Sequence, residues 1–415
     1  MGAEFDLKSP DVARDPYSAF AWLRDHEPVH WSESLGAWVV TRYADALEIW
    51  NRPDLFSSDR FRKVRAEFTS QRPDVRAVAA VLSEWLVFRD PPDHTRLRAL
   101  LQKTFTPRQL ANSRPRIQAA IDALIDGALA KGGEYDFVAQ FAFPLPALVI
   151  ALLLGAPSED IERIKEWSDQ LAAYLGGSLD GQDNFTRARA GVEGLTDYFT
   201  RLLREKSCNP SDDLIGLMLR AEHDGHTLGS EEIVSNCVLL LFAGHETTTN
   251  LLANGLFHLL RDPAAGARLR AQPELTASAV EELLRYESPV PATVKVVTRD
   301  LEFRGAALRA GEMVLPFLSA ANRDPRQFTD ADRLDLARSP NRHLAFGWGI
   351  HFCLGAPLAR LEASLAFRSL LERVPHLALA DAQPRWRPWL FFRALEVLRV
   401  RWDGSAPAQR ESGQA

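Results

Sequence analysis

The sequence predicts a protein that is mainly α with small β-sheets, and three observations carry that prediction. Apolar residues recur at helical spacing through most of the 415 residues. One such pattern begins at Ser230 and runs for about 31 residues, which at about 1.5 Å per residue would make a helix about 46 Å long crossing the whole domain. The strand-like pieces are few and short. No fixed-period repeat and no low-complexity linker interrupts the chain, so residues 1–403 read as one domain and the small, polar segment 404–415 as a tail.

Each element has its own signal, in chain order. "AWVVTR" reads as a strand. "RPRIQAAIDALIDGALAKGG" places Ile117, Ile121, Leu124, Ile125 and Leu129 on one helical face and stops at Gly132 and Gly133. "PLPALVIALLLGAP" is apolar nearly all round and reads as a buried helix. Ser158 is the expected cap of "EDIERIKEWSDQLAAYL", whose first turn is acidic. "FTRARAGVEGLTDYFTRLLREK" is again helical. The long pattern takes Ser230 as its N-cap and ends before Pro263. "ELTASAVEELLRYES" stops before Pro289. "TVKVVT", "LEFRG", "EMVLPF" and "EVLRVRW" then read as strands.

Composition narrows the function. Net charge is −6, which argues against a nucleic-acid partner. The N-terminus has no basic region followed by an apolar one, so no signal peptide is expected. No apolar run approaches the length that spans a bilayer. The three cysteines, Cys208, Cys237 and Cys353, are too scattered for a disulfide framework and fit a reducing, cytoplasmic setting.

Cys353 stands in "FGWGIHFCLGAPLAR", a glycine-rich loop running into a helix. A disulfide, a zinc site, a nucleophile and a haem ligand are the candidates for it, beside a plain buried thiol. Zinc would need more paired ligands than His351 and Cys353 provide. A nucleophile would need a partner base, and nothing marks one. The glycines allow close backbone approach to a flat object, and loop and helix N–H groups can stabilise a thiolate on a metal.

This segment resembles the haem-binding loop of the cytochrome P-450 family, in which Phe346, Gly347, Gly349, His351, Cys353 and Gly355 all stand in the family pattern. The resemblance extends over nearly the whole chain, in the soluble bacterial style. It implies the cytochrome P-450 fold, with haem b between the long central helix and the cysteine-loop helix, and Cys353 as the ligand to iron. It also implies a monooxygenase that hydroxylates or epoxidises a hydrophobic small molecule. Dioxygen would be the co-substrate, and two electrons would come from NAD(P)H through a separate ferredoxin or flavodoxin and its reductase.

Further positions follow the same resemblance residue by residue. Ala243, Gly244, Glu246 and Thr247 in "AGHETT" match the family's oxygen groove, with Thr247 holding the proton network and Glu246 relaying protons. Back-bonding of Thr247 to a carbonyl is the plainer alternative. His245 reads as a surface or polar neighbour, not a ligand. His94 and Arg98 in "DPPDHTRLR", together with His351, would bind haem propionates. The family usually has arginine where this chain has Lys295, and a competing register would give that role to Arg299. Glu282 and Arg285, joined by Arg338, would brace the cysteine side.

The substrate pocket is expected from Phe61, Trp85, Leu86 and Val87, from Leu239 and Leu240, from Val290, Thr293 and Val294, and from Leu390 and Phe391. Arg60, Arg62 and Arg65 read as a solvated loop face, with contact to a substrate carboxylate as the alternative. Arg360, Arg368, Lys103 and Arg108 are candidates for a basic patch that receives the electron donor. The protein is expected to be a monomer with no membrane partner. A peroxide-driven hydroxylase and a non-catalytic haem-thiolate ligand sensor are the rival functions, and Glu246 with Thr247 argues against both.

Overall fold

The computed structural model describes residues 6–61, 73–178, 184–209, 211–374, 376–381 and 383–402. The expected tail 404–415, and Arg62 and Arg65, lie outside the described residues. The helices that build the site are α1 (Tyr43–Asn51), α2 (Pro73–Leu82), α3 (Asp93–Gln102), α4 (Pro107–Lys131), α5 (Pro144–Leu154), α6 (Ile161–Leu175), α7 (Asn184–Cys208), α8 (Ser230–Arg261), α9 (Thr276–Tyr286) and α10 (Ala356–Arg373). No helix among the described residues is long and apolar enough to cross a membrane.

Helix α8 organises the rest. Its 32 residues make a rod about 48 Å long. Its cap is Gly229 rather than Ser230, because the Glu232 carboxylate reaches back and accepts the Gly229 N–H at 2.9 Å. Two apolar cores flank it. One gathers residues of α2, α6, α7 and α8 up to Phe242. The other gathers residues of α4, α5, α9, α10 and α8 from Leu251 onward. The segment Ala243–Asn250 therefore lies at the seam between two cores. Beyond it, α8 crosses α10 closely: a Cβ added to Gly255 would stand 2.5 Å from the Phe367 ring.

Two other helix starts differ from the sequence expectation. Ser158 begins a short 3-10 turn, Ser158–Asp160, and caps nothing; α6 proper starts at Ile161. Helix α4 starts well before its apolar pattern, at Pro107, because the Thr106 hydroxyl accepts the Gln109 N–H at 3.3 Å and proline is already set for the first helical position. It stops at Gly132, whose φ of 64° favours glycine.

The principal sheet joins β1 (Val29–Ser32), β2 (Ala37–Val40), β3 (Phe56–Ser57), β4 (Lys295–Val297) and β5 (Met313–Pro316) in the order β1–β2–β5–β4–β3. Lys295 pairs with Val314, and Ser57 with Val296. Alternation along β4 buries Lys295 and Val297 on one side of the strand, which brings a lysine into the protein next to the end of β3. The C-terminal strands Leu395–Val397 and Arg399–Arg401 belong to two smaller sheets.

Candidate active site

The cysteine loop is fixed from two directions. The Cys353 N–H donates to the Phe346 carbonyl at 2.9 Å. Gly347 and Gly349 have φ of 68° and 64°, and a Cβ on them would meet the Trp50 ring at 3.1 Å and the Trp50 carbonyl at 3.3 Å. Both the backbone shape and the neighbouring α1 therefore demand glycine. Burial pushes the Cys353 thiol above its usual range. The N–H groups of Gly355 and Ala356 and the guanidinium groups of Arg98 and Arg360 pull it back toward the thiolate. Cys208 is exposed and Cys237 buried, both free.

Beside this loop, basic side chains from α3, β4 and the loop itself converge. The ring centroids of His94, on α3, and His351 lie 4.2 Å apart. Lys295 Nζ donates to Ser58 Oγ at 2.7 Å and sits 4.1 Å from the centroid of the Trp50 ring. Ser58 Oγ is hydrogen-bonded to His351 Nε2 at 2.9 Å. Arg98 is half-buried one turn after His94. Both ring nitrogens of His94 are buried without a hydrogen-bond partner among the described residues. Burial, with the surrounding cations, lowers His94 to about 4 and His351 to about 2. Burial lowers Lys295 to about 8, with only Asp90 opposing it. Asp90 itself is engaged by the Ser57 hydroxyl and by the Ser58 N–H at 2.9 Å. Arg299, the other register's candidate, is exposed and lies outside this cluster.

Across from the thiol loop, one face of α8 stays partly open. Leu240, Ala243, Gly244 and Thr247 are half-buried while their helical neighbours are buried. Leu240 and Ala243 pack against the same core as Leu354, the residue after Cys353. Thr247 Oγ1 donates to the Ala243 carbonyl at 2.6 Å, so its proton is committed and its lone pairs remain free to accept. Gly244 is there for packing: a Cβ would lie 3.1 Å from Ile150 of α5. Burial raises the Glu246 carboxyl to about 7, with Arg387 opposing and Asp169 adding to the rise. His245 is not a surface residue. It is 1% exposed, hydrogen-bonded through Nδ1 to Ser168 at 3.1 Å and packed on Phe143. Its position on the helix turns it into the α5–α6 packing, away from the open face.

Behind the cysteine loop, Arg285 and Glu282 are fully buried. Two guanidinium nitrogens of Arg285 donate to the two Glu282 oxygens, each at 2.8 Å. The same carboxylate accepts from Arg338 and Asn341 at 3.1 Å and from the Asp335 N–H at 2.9 Å. Arg285 also donates to the carbonyls of Asn322 and Ala331. These bonds tie α9 to the chain segment leading into the loop.

The expected pocket residues separate into groups. Phe61, Trp85, Leu86 and Leu239 belong to the first core, with Val290 packed on it. Val294, Leu390 and Phe391 pack together against the sheet-side cluster. Thr293 keeps a buried hydroxyl with no hydrogen-bond partner among the described residues. Val87 does not join the apolar wall: it is 42% exposed, because the turn Leu86–Phe88 sends it away from its buried neighbour Leu86.

The basic patch is smaller than expected. Arg360 forks onto Glu281 at 2.6 and 2.8 Å, and Lys103 bonds the Glu222 carbonyl, whereas Arg108 and Arg368 are exposed. Trp348, Ile350 and Phe352 add exposed apolar surface on the cysteine loop. Sequence reasoning missed Ser58, Trp50 and Glu281. Only the "SS" next to a strand hinted at the first, and nothing local marked the others.

The family model described as Cytochrome P450 matches residues 63–385. The chain is 39% identical over 404 residues to the biotin biosynthesis cytochrome P450 of Bacillus subtilis, covering 95% of this chain and 98% of that one. The crystal structure of P450BioI in complex with hexadec-9Z-enoic acid ligated acyl carrier protein superposes with a TM-score of 0.87 at 37% identity, covering 95% of this chain and 99% of that one. CYP109E1 from Bacillus megaterium in complex with testosterone superposes with a TM-score of 0.82 at 35% identity, covering 94% and 99%. The chain belongs to the cytochrome P450 family and is, as a member of it, a monooxygenase that uses haem iron and dioxygen.

Proposed function

We propose that the chain inserts one oxygen atom into a hydrophobic small molecule, with Cys353 as the thiolate on the iron of haem b and a separate protein delivering two electrons. The observation that carries this is the pairing of two unfinished sites. The N–H groups of Gly355 and Ala356 point to the thiol and the charges of Arg98 and Arg360 favour its thiolate, and beside it basic side chains gather with no free carboxylate among the described residues. A haem offers an iron for the first and two propionates for the second. The orphaned nitrogens of His94 fit such an anionic edge, as do Arg98, Lys295 and His351.

When bound, the haem supplies the activation of dioxygen. The chain supplies the rest. The open stripe of α8 leaves room beside Ala243, and Gly244 lets α5 approach. Thr247 accepts a hydrogen bond at Oγ1 and so holds a proton donor in place. Glu246, protonated near neutral pH, is the proton source within the same helical turn. The apolar wall of Phe61, Trp85, Phe88 and Leu240 binds the substrate and excludes water. The exposed Trp348, Ile350 and Phe352, together with the exposed Arg108 and Arg368, are where a ferredoxin or flavodoxin would dock. NAD(P)H would enter only through that donor's reductase.

The test is spectroscopic. Wild type reduced under CO should give the red-shifted band of thiolate ligation. Cys208→Ser and Cys237→Ser should keep it, and Cys353→Ser should lose it. An unchanged CO spectrum in Cys353→Ser removes the assignment.

A further inference from the structure

Arg60 follows β3 and was expected to face solvent. Instead its guanidinium carbon lies 4.1 Å from the centroid of the Phe88 ring and 5.3 Å from that of Phe61. Part of its surface stays open, but the charged head sits among protein atoms, and burial lowers its pKa. Among the described residues no carboxylate pairs with it, and the titratable group set beside it is Tyr174. Three other enclosed arginines have carboxylate partners within the described chain. Arg285 holds Glu282, Arg323 holds Asp332 and Arg393 holds Glu287.

A guanidinium stays charged in any such setting. An aromatic face recovers only part of the cost of taking it out of water. Among the described residues no anion completes it, and a bound anion would. The surroundings say what else that anion carries. Phe61 packs edge-on against Phe88 at 5.2 Å, Phe88 stacks on Trp85 at 5.9 Å with planes 7° apart, and Trp85 meets Phe242 at 6.1 Å. Phe242 precedes Ala243 at the open stripe of α8. An apolar wall thus runs from Arg60 to the place assigned to oxygen chemistry. Tyr174, at the C-terminal end of α6, keeps its proton because burial raises its pKa, so it is a second donor on the same side.

We propose that Arg60 anchors the carboxylate of the substrate, which is an apolar carboxylic acid whose carbon body lies along Phe88, Trp85 and Phe242 toward α8. This rests on the reading of the Cys353 and α8 region as the oxidation site. One planar fork matches one carboxylate. A doubly charged phosphate would need further cations, and Lys295, His94 and His351 are gathered in the separate cluster beside Cys353.

The experiment uses the haem-loaded full chain, with dodecanoic and hexadecanoic acids each titrated beside the matching alcohol and methyl ester. Binding is read from the haem spin shift and, independently of the haem spectrum, by calorimetry. The acids should bind about tenfold or more tightly than their neutral partners, the size of a charged hydrogen bond. Arg60→Gln should bring each acid to the level of its alcohol while leaving the alcohol unchanged, and Arg60→Lys should restore part of the preference. Equal affinity of wild type for acid and alcohol overturns the proposal. So does an Arg60→Gln protein that weakens both alike, or one that loses haem while keeping the acid preference, which would assign Arg60 to the cofactor. A calorimetric preference without a spin shift would support the anchor and count against the oxidation-site reading alone.

Discussion

The buried ions behind the cysteine loop and the buried ions around it obey opposite rules. Glu282, Arg285 and Arg338 are closed among themselves, with oxygens and nitrogens taken up by side chains and carbonyls of the described chain. His94, Lys295, His351, Glu246 and Arg60 are not: two ring nitrogens of His94 have no partner, and Glu246 is buried at the cost of its charge. Desolvation is expensive in both places. A closed network recovers that expense at folding, and an open one recovers it when something binds. On the proposed function, the first set serves stability and the second serves ligands.

The largest effect should come from breaking the closed set. Arg285→Leu leaves the Glu282 carboxylate without its two shortest partners in a fully buried site. Removing one member of such a group costs about 3–5 kcal/mol, out of the 5–15 kcal/mol that holds a typical domain. Thermal and urea unfolding should show a clear loss of stability, and haem uptake should fail with it. A variant as stable as wild type would mean that the distinction between closed and open sets is wrong.

On α8 the contrast can be read by pH. The Glu246 carboxyl is raised from 4.5 to about 7 by burial, so the fold favours its protonated form. The cost of burying it as a carboxylate sets in as pH rises above about 4.5 and is complete above about 7, where the gap amounts to about 3 kcal/mol. Glu246→Gln should accordingly be more stable than wild type at pH 8 and no different below pH 4.5, in urea unfolding at each pH. Turnover should move the other way. Loss of the proton source should lower the rate about a hundredfold, and the wild-type rate, but not the variant's, should fall as pH passes about 7. Thr247→Ala keeps the proton source and loses the acceptor at Oγ1. It should consume electrons at the wild-type rate while product falls steeply and hydrogen peroxide rises, as measured by oxygen, peroxide and product balance.

What the sequence made legible follows the same division. Helical periodicity located α4 because a buried face leaves its mark every three or four residues, while α5 showed through apolarity all round and α10 only through the glycine-rich loop that precedes it. Of the principal sheet, β2, β4 and β5 read as strands, while β1 and β3 did not. The glycines of the cysteine loop were legible because a positive φ admits few other residues. Contacts between distant segments left no such mark. Trp50 explains Gly347 and Gly349, but nothing in "EIW" announces a wall for a loop some 300 residues later. Ser158 looked like a cap and is not one, since a cap depends on where the next helix actually starts. His245 looked polar in sequence and is buried, because Ser168 and Phe143 come from other helices. Arg60 read as solvated for the same reason: its enclosure is made by Phe88 from beyond the next helix.

The smallest effect separates two members of the open set from each other. Lys295 is 3% exposed, bonded to Ser58 and set over Trp50, while Arg299 is exposed four residues on. Lys295→Ala removes one cation from the cluster and leaves Ser58 and His351 to each other. A single charge-assisted hydrogen bond is worth about 1.5–3 kcal/mol, so haem should leave about tenfold faster. The midpoint potential should fall as well, since a less compensated propionate favours ferric iron. Lys295→Arg should retain haem at least as well as wild type, provided the longer fork fits beside Trp50, because guanidinium can bond both oxygens of a carboxylate. Arg299→Ala should change neither quantity. The reverse pattern, with haem released by Arg299→Ala and untouched by Lys295→Ala, would take Lys295 out of the open set and return it to the sheet as a lysine that merely packs on tryptophan.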